Sequence, residues 1–246
     1  MAPRLSSRAL RGLSRGAWLL LCLGLAGQAA ADQVAGALFR GETDAYQHCI
    51  LGDCLEWSVL EIVGRAADGT LTARQFAAGD GFVFEDTGVR FWDVTGDGQY
   101  EVVVVLTSQD LGASLAVYSA EGRIAQTPHI GQPNRWLAPV GAADFDGDGR
   151  IEVAFVDRPH LAKVLRVYEW DGAGLRFEAG LDGLTNHRIG EDFITGGVRD
   201  CGNGPEMLTA NADWTAIMAT ELTARGLEAT SLAPFSAAAM ADALGC

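Results

Sequence analysis

Lysine is nearly absent from this chain: Lys163 is the one lysine in 246 residues. Arginine supplies the rest of the positive charge, and 32 acidic side chains against 18 basic ones give a formal charge of −14. So acidic a surface repels phosphate backbones and anionic lipid, which argues against nucleic acid and membrane surfaces as partners. Cysteine is also sparse, five in all, and no two stand in C-x-x-C spacing, which argues against a thiolate zinc site. The chain has no G-x-S-x-G, no H-E-x-x-H and no phosphate-cradling glycine loop. Beyond residue 31 there is no apolar run long enough to cross a bilayer, so an integral membrane protein is not expected.

What is present begins at the N-terminus. Arg4, Arg8, Arg11 and Arg15 precede the apolar run "AWLLLCLGLA", and Ala29 and Ala31 occupy the small-residue positions of a signal-peptidase site. Residues 1–31 are therefore expected to be a secretory signal peptide, and residues 32–246 an exported domain, periplasmic or secreted. Without that leader 215 residues remain, enough for one well-buried core, and the formal charge moves from −14 to −18. Cys49, Cys54, Cys201 and Cys246 then remain, and an oxidising compartment predicts disulfides. Of three connectivities, the local pair Cys49–Cys54 with Cys201–Cys246 is preferred, the second tying down the chain end.

Internal repetition organises the rest. "DVTGDGQYEVVVV" starts at Asp93 and "DFDGDGRIEVAFV" at Asp144, 51 residues apart. A second series, "LEIVGRAADG", "LAVYSAEG", "LRVYEWDG" and "IMATELTARG", starts at Leu60, Leu115, Leu165 and Ile217, with spacings of 55, 50 and 52. A near-constant period implies stacked copies of one unit. Alternating and β-branched apolar runs between Gly/Asp-rich turns predict four short strands per unit. The predicted strands are 34–39, 46–51, 56–63 and 71–76 in the first unit, then 85–94, 101–107, 115–119 and 124–127 in the second. The third unit has 136–145, 152–157, 164–170 and 175–179, the fourth 193–199, 206–210, 216–223 and 227–232. Only "SAAAMADAL", 236–244, suggests a helix. The predicted fold is all-β: a β-propeller of about four four-stranded blades, with units at roughly 32–80, 81–131, 132–183 and 184–235. The alternatives are an open arc that completes itself by homodimerising, and a β-sandwich.

The acidic loops carry the chemistry. With Asp144 as position one, carboxylates fall at positions one, three, five and nine: Asp144, Asp146, Asp148 and Glu152. Gly149 permits a sharp turn, and Arg150 offers its backbone carbonyl. The earlier loop offers Asp93, Thr95, Asp97, the carbonyl of Gln99, and Glu101. Hard oxygen donors at this density fit calcium. An EF-hand needs a glutamate at position twelve and flanking helices; here position twelve is Phe155 or Val104, and strands follow, so each loop is a calcium loop within a β-hairpin.

This pattern, with its blade period, resembles the FG-GAP and VCBS repeats of integrin α-chain-like propellers, and the whole chain resembles exported bacterial VCBS-repeat proteins. In that family the D-x-D-x-D-G-x-x-D/E loop joins the first two strands of a blade and holds calcium, so the resemblance implies two structural calcium ions on the ten positions above. The match is weaker elsewhere. Thr95 replaces an acid. In the fourth unit "RDCGNGPE" has Arg199 as its first residue and Cys201 inserted, so no metal is expected there. "RGETDAY" in the first unit keeps only Glu42 and Asp44.

Asn134, Arg135, Asn186, His187 and Arg188 enter blades at corresponding places and are candidates for a ligand-binding face. His160 and Lys163 also lie in a loop, and lone histidines there are more often solvated or capping than catalytic. The expected function is therefore a non-enzymatic, calcium-stabilised binding or scaffold module for a protein or glycan. The alternative is a polysaccharide-acting hydrolase or lyase with calcium near its substrate.

Overall fold

The computed structural model describes residues 31–246. The expected signal peptide thus lies outside the described residues, apart from Ala31. The first unit supplies β1 (Gln33–Thr43), β2 (Glu56–Arg65) and β3 (Leu71–Ala77). The second supplies β4 (Phe82–Phe84), β5 (Arg90–Trp92), β6 (Glu101–Ser108), β7 (Gly112–Tyr118) and β8 (Arg123–Gln126). The third is β9 (Leu137–Ala143), β10 (Glu152–Asp157), β11 (Val164–Trp170) and β12 (Leu175–Asp182). The fourth is β13 (Leu184–Thr185), β14 (Gly197–Asp200), β15 (Pro205–Asn211), β16 (Ala216–Thr223) and β17 (Gly226–Pro234), followed by α1 (Ala237–Leu244).

The fold is all-β, in several antiparallel sheets. Unit three forms the expected four-stranded blade, β12-β11-β10-β9. Units one and two depart from four separate blades. Phe84 in β4 pairs with Trp57 of β2 and with Leu106 of β6, stitching both units into one curled eight-stranded sheet. The expected long first strands of units two and four are each split. In unit two β4 and β5 both lie along β6, and residues 85–89 loop out between them. The Asp86 carboxylate fills the gap, its Oδ2 accepting from the Val105 amide at 2.7 Å and from Arg90 at 2.8 Å. In unit four β13 and β14 lie along β15 in the same way.

The expected strand at 46–51 is absent. Cys49 adopts a positive φ of 55° and the Cys49–Cys54 disulfide folds the segment back, so it cannot extend into a ladder. It serves instead as a plug. Tyr46 and Ile50 are buried, the Ile50 carbonyl accepts from Gly190 at 2.8 Å, and the Tyr46 hydroxyl accepts from the Asn134 amide at 2.8 Å.

Strand alternation builds the core. In β6, Val102, Val104 and Leu106 pack toward unit one, while Val103 and Val105 pack toward unit three. In β10, Val153 and Phe155 face unit two, and Ala154 and Val156 face unit four. Burial on both faces explains why "EVVVVL" and "EVAFV" are nearly unbroken apolar runs rather than alternating ones. The sheets stack in chain order, and the stack ends under α1, where Met240 packs on Leu208, Ile217 and Ala219. Ser236 caps this helix, its Oγ accepting from the Ala239 amide at 3.0 Å.

The Cys201–Cys246 disulfide holds α1 against the edge of unit four, and the Arg199 guanidinium donates to the Ala243 carbonyl at 2.8 Å. Both predicted cysteine pairs are thus present. Replacing Cys201 and Cys246 by serine is expected to cost about 2–4 kcal/mol by lengthening the unfolded chain's accessible ensemble. Denaturant unfolding measures this, and an unchanged midpoint would show that helix packing alone fixes the chain end.

Candidate metal centre

Each acidic loop is pre-shaped by its own first carboxylate. Asp93 accepts from the amides of Gly96 at 2.8 Å and Gly98 at 2.9 Å. Asp144 accepts from Gly147 at 2.8 Å and Gly149 at 3.0 Å. Gly147 and Gly149 sit at φ of 79° and 90°, so any side chain there would strain the turn that aims both amides. The glutamate at position nine closes each loop. Glu101 Oε2 accepts from Val94 at 2.8 Å, and Glu152 Oε2 from Phe145 at 2.7 Å.

The two loops then diverge. In the later one, single oxygens of Asp144, Asp146 and Glu152 lie within 4.8 Å of one another. Glu152 is fully buried, and its Oε1 has no hydrogen-bond partner. Burial, aided by the charges of Asp146, Glu178 and Asp144, pushes the Glu152 carboxyl up to about 8. A buried carboxylate with an idle oxygen is costly by itself and is relieved by a cation or a proton. Asp148 is exposed and stands outside this group; its Oδ1 accepts from the Arg150 amide at 2.8 Å. Arg150 turns its side chain to Glu169 at 2.8 Å.

In the earlier loop Thr95 replaces the acid at position three, and its hydroxyl donates to Glu101 Oε1 at 3.3 Å. Both Glu101 oxygens are therefore occupied. Burial still raises the Glu101 carboxyl, with Asp97 and Asp93 adding to the shift and the Val94 and Thr95 amides opposing it. Asp97 accepts from the Gln99 amide at 2.8 Å. No convergent trio forms at this loop among the described residues.

Two carboxylates missed by sequence reasoning adjoin the later loop. Glu169 on β11 is the register partner of Glu152, and Glu178 is the extra residue of β12 where its register with β11 shifts between Val167 and Tyr168. Single oxygens of Glu152, Glu169 and Glu178 also lie within 4.8 Å of one another.

The proposed binding-face residues are not brought together. Asn186 is fully buried, its amide nitrogen donating to the carbonyls of Ala138 at 3.2 Å and Pro139 at 3.3 Å, where β9 shifts register. His187 is buried as well. Its Nε2 bonds the Glu191 carbonyl at 2.9 Å and its Nδ1 meets His160 Nε2 at 2.8 Å. Burial first, then the neighbouring imidazole, depresses His160 to about 4, and burial lowers His187 too, so both are neutral at pH 7. Asn134 and Arg188 are exposed and Arg135 half-buried; Arg188 stacks 3.9 Å above the Trp214 ring. Lys163 donates to the Ala212 carbonyl at 2.7 Å.

A further polar chain lies under the plug: Thr107 donates to Glu85 Oε2 at 2.8 Å, and Glu85 Oε1 pairs with His48. Here the carboxylate separates hydroxyl from imidazole, so the imidazole cannot activate the hydroxyl. Nearby Glu56 is pushed up to about 9 by burial and then by Glu85, Asp53 and Asp86.

A family model described as an FG-GAP-like repeat matches residues 93–155. No curated protein matches the chain. The matched stretch begins at the first carboxylate of the earlier loop and ends in the strand after the later one. Residues 93–155 are accordingly similar to an FG-GAP-like repeat, with an acidic loop near each end.

Proposed function

We propose that the protein is an exported, calcium-stabilised binding or scaffold module of β-propeller type, in which calcium pins the hairpins and the loops meet a protein or glycan. The observation that carries the metal reading is Glu152: fully buried, one oxygen idle, and grouped with Asp144 and Asp146 at the end of an FG-GAP-like repeat. All the donors are hard oxygens, which suits calcium, and bound calcium would neutralise carboxylates that otherwise repel. Export is supported by the two disulfides and by the leader-like sequence at 1–31. Binding rather than catalysis is favoured because the His160 and His187 imidazoles bond each other and His187 is buried.

Calcium titration calorimetry tests the metal reading. Wild-type protein is expected to bind with a dissociation constant of roughly 10⁻⁴–10⁻³ M or tighter. Asp146→Ala is expected to lose the ion at the Asp144 loop, and an Asp146→Ala titration that superimposes on wild type would sink the assignment. Asp93→Ala addresses the earlier loop, where the hydroxyl at position three leaves one charge fewer and weaker binding is expected.

A further inference from the structure

Of the three-glutamate group behind the Asp144 loop, only Glu152 belongs to the loop site proposed above. Its members come from three neighbouring strands. Glu152 and Glu169 are directly opposed across β10 and β11. On β12 the register passes from Ala179, opposite Val167, to Phe177, opposite Tyr168, so Glu178 is the extra residue of a bulge. A bulge re-aims a side chain, and here it brings a third carboxylate onto the other two.

Two atoms in this group lack partners. Glu152 Oε1 and Glu178 Oε2 are both shielded from solvent and accept no hydrogen bond. Glu152 itself is 0% exposed, and its carboxylate belongs to both trios. Glu169 is compensated, since Arg150 at 2.8 Å and Arg176 at 2.9 Å both hold its Oε1. Charge balance extends the point. Asp144, Asp146, Glu152, Glu169 and Glu178 of the two trios carry five negative charges when ionised, and Arg150 and Arg176 return two. Three remain, more than one divalent cation would neutralise.

Unit two shows the same frame without the extra acids. Glu101 stands where Glu152 does, because Val102 pairs with Tyr118 as Val153 pairs with Tyr168. The residue after Tyr118 is Ser119, not a glutamate, and the bulged residue of β8 is Ile124. There a cavity of about 490 Å³ opens beside Glu101, lined also by Ser119 and Ile124. In unit three, carboxylates occupy the corresponding positions.

We propose that Glu152, Glu169 and Glu178 hold a second divalent cation of calcium's class, so that the Glu152 carboxylate bridges two ions and rivets β10, β11 and β12 to the loop. Three carboxylates supply part of the shell and water the rest, as hard cations accept. The proposal shares Glu152 with the loop site under Proposed function and is otherwise independent of it.

The test counts calcium bound to the full chain, expressed with its own N-terminal segment, by equilibrium dialysis and native mass spectrometry. Glu178→Gln, which keeps the shape, and Glu178→Leu, which copies the aliphatic residue of unit two, are each expected to bind one calcium fewer than the parent. Asp146→Ala, which touches only the loop trio, is expected to lose the loop ion and retain the bridge-side one. A parent count unchanged in both Glu178 variants overturns the second site and leaves the loop reading intact. Loss with Glu178→Gln but not with Asp146→Ala removes the loop reading and keeps the second site. A parent that binds no calcium removes both. If Glu178→Leu raises thermal stability equally in calcium and in chelator with no change in count, the two glutamates share a proton, and the second cation is overturned.

Discussion

Calcium is expected to raise the melting temperature of this protein far more at pH 8 than at pH 5. The cause is Glu152, whose carboxyl rises from an ordinary 4.5 to about 8 in the fold. Between those values the native state keeps a proton that the unfolded chain has released. The contribution of Glu152 to metal-free stability is therefore fully present below 4.5 and is lost as pH climbs toward about 8, where the native group finally ionises. Calcium would bind the ionised form and displace that proton, so its benefit is expected to be largest at the upper end of the window. At a hundredfold excess over the dissociation constant one ion contributes about 2.7 kcal/mol. For a domain of this size that is roughly 5–10 °C in melting temperature per ion. Glu152→Gln is expected to flatten the pH slope of the metal-free protein and abolish most of the calcium response. Differential scanning fluorimetry at the two pH values, with calcium and with chelator, decides it. Equal calcium shifts at pH 5 and pH 8 would show that Glu152 is not the group that calcium relieves.

Trp136→Ala is expected to destabilise the protein more than any loop substitution. Trp136 is 2% exposed in the core between units two and three. Its indole N–H donates to the Glu85 carbonyl at 2.8 Å, and its ring meets His187 edge-on at 4.8 Å. Truncation removes the aromatic packing, leaves a cavity beneath the plug and orphans a buried carbonyl. Such losses amount to about 3–5 kcal/mol. That corresponds to a melting temperature lower by roughly 6–20 °C. Trp136→Phe keeps most of the packing and loses only the donor, so an intermediate fall of about 1–3 kcal/mol is expected. Denaturant unfolding followed by circular dichroism measures both. A Trp136→Ala protein within about 1 kcal/mol of wild type, the centre of ordinary point substitutions, would mean that the core between the two units does not depend on this ring.

Different parts of this molecule were legible in the sequence to different degrees, for physical reasons. The acidic loops stand out because their carboxylates lie within nine residues and glycine supplies the turn. Unit three emerged almost strand for strand, since each apolar run ends at a Gly/Asp turn. The plug did not. "YQHCIL" has the composition of a strand, but the Cys49–Cys54 closure and the positive φ at Cys49 override that propensity. Splitting of the first strand in unit two was equally hidden, because Asp86 replaces a ladder partner with its side chain. Glu169 and Glu178 escaped notice for a geometric reason. They lie 17 and 26 residues beyond Glu152 and reach it only through strand register and a bulge. The same gap misplaced Asn186 and His187, whose polarity suggested a surface. Asn186 instead satisfies backbone carbonyls in the interior, and His187 bonds the Glu191 carbonyl and His160.

The stitch made by β4 bears on the order in which the chain acquires its structure. Unit three pairs its four strands only with one another, so its hydrogen bonds can close as soon as residue 182 has been made. Unit one has no such independence. Its sheet continues through Phe84 into β6, which is complete only at Ser108. A nascent chain halted before that residue would present an unfinished edge, open to another strand. The first half of this molecule is therefore expected to complete its sheet only once β6 has been made, while its third unit can close its own strand ladder.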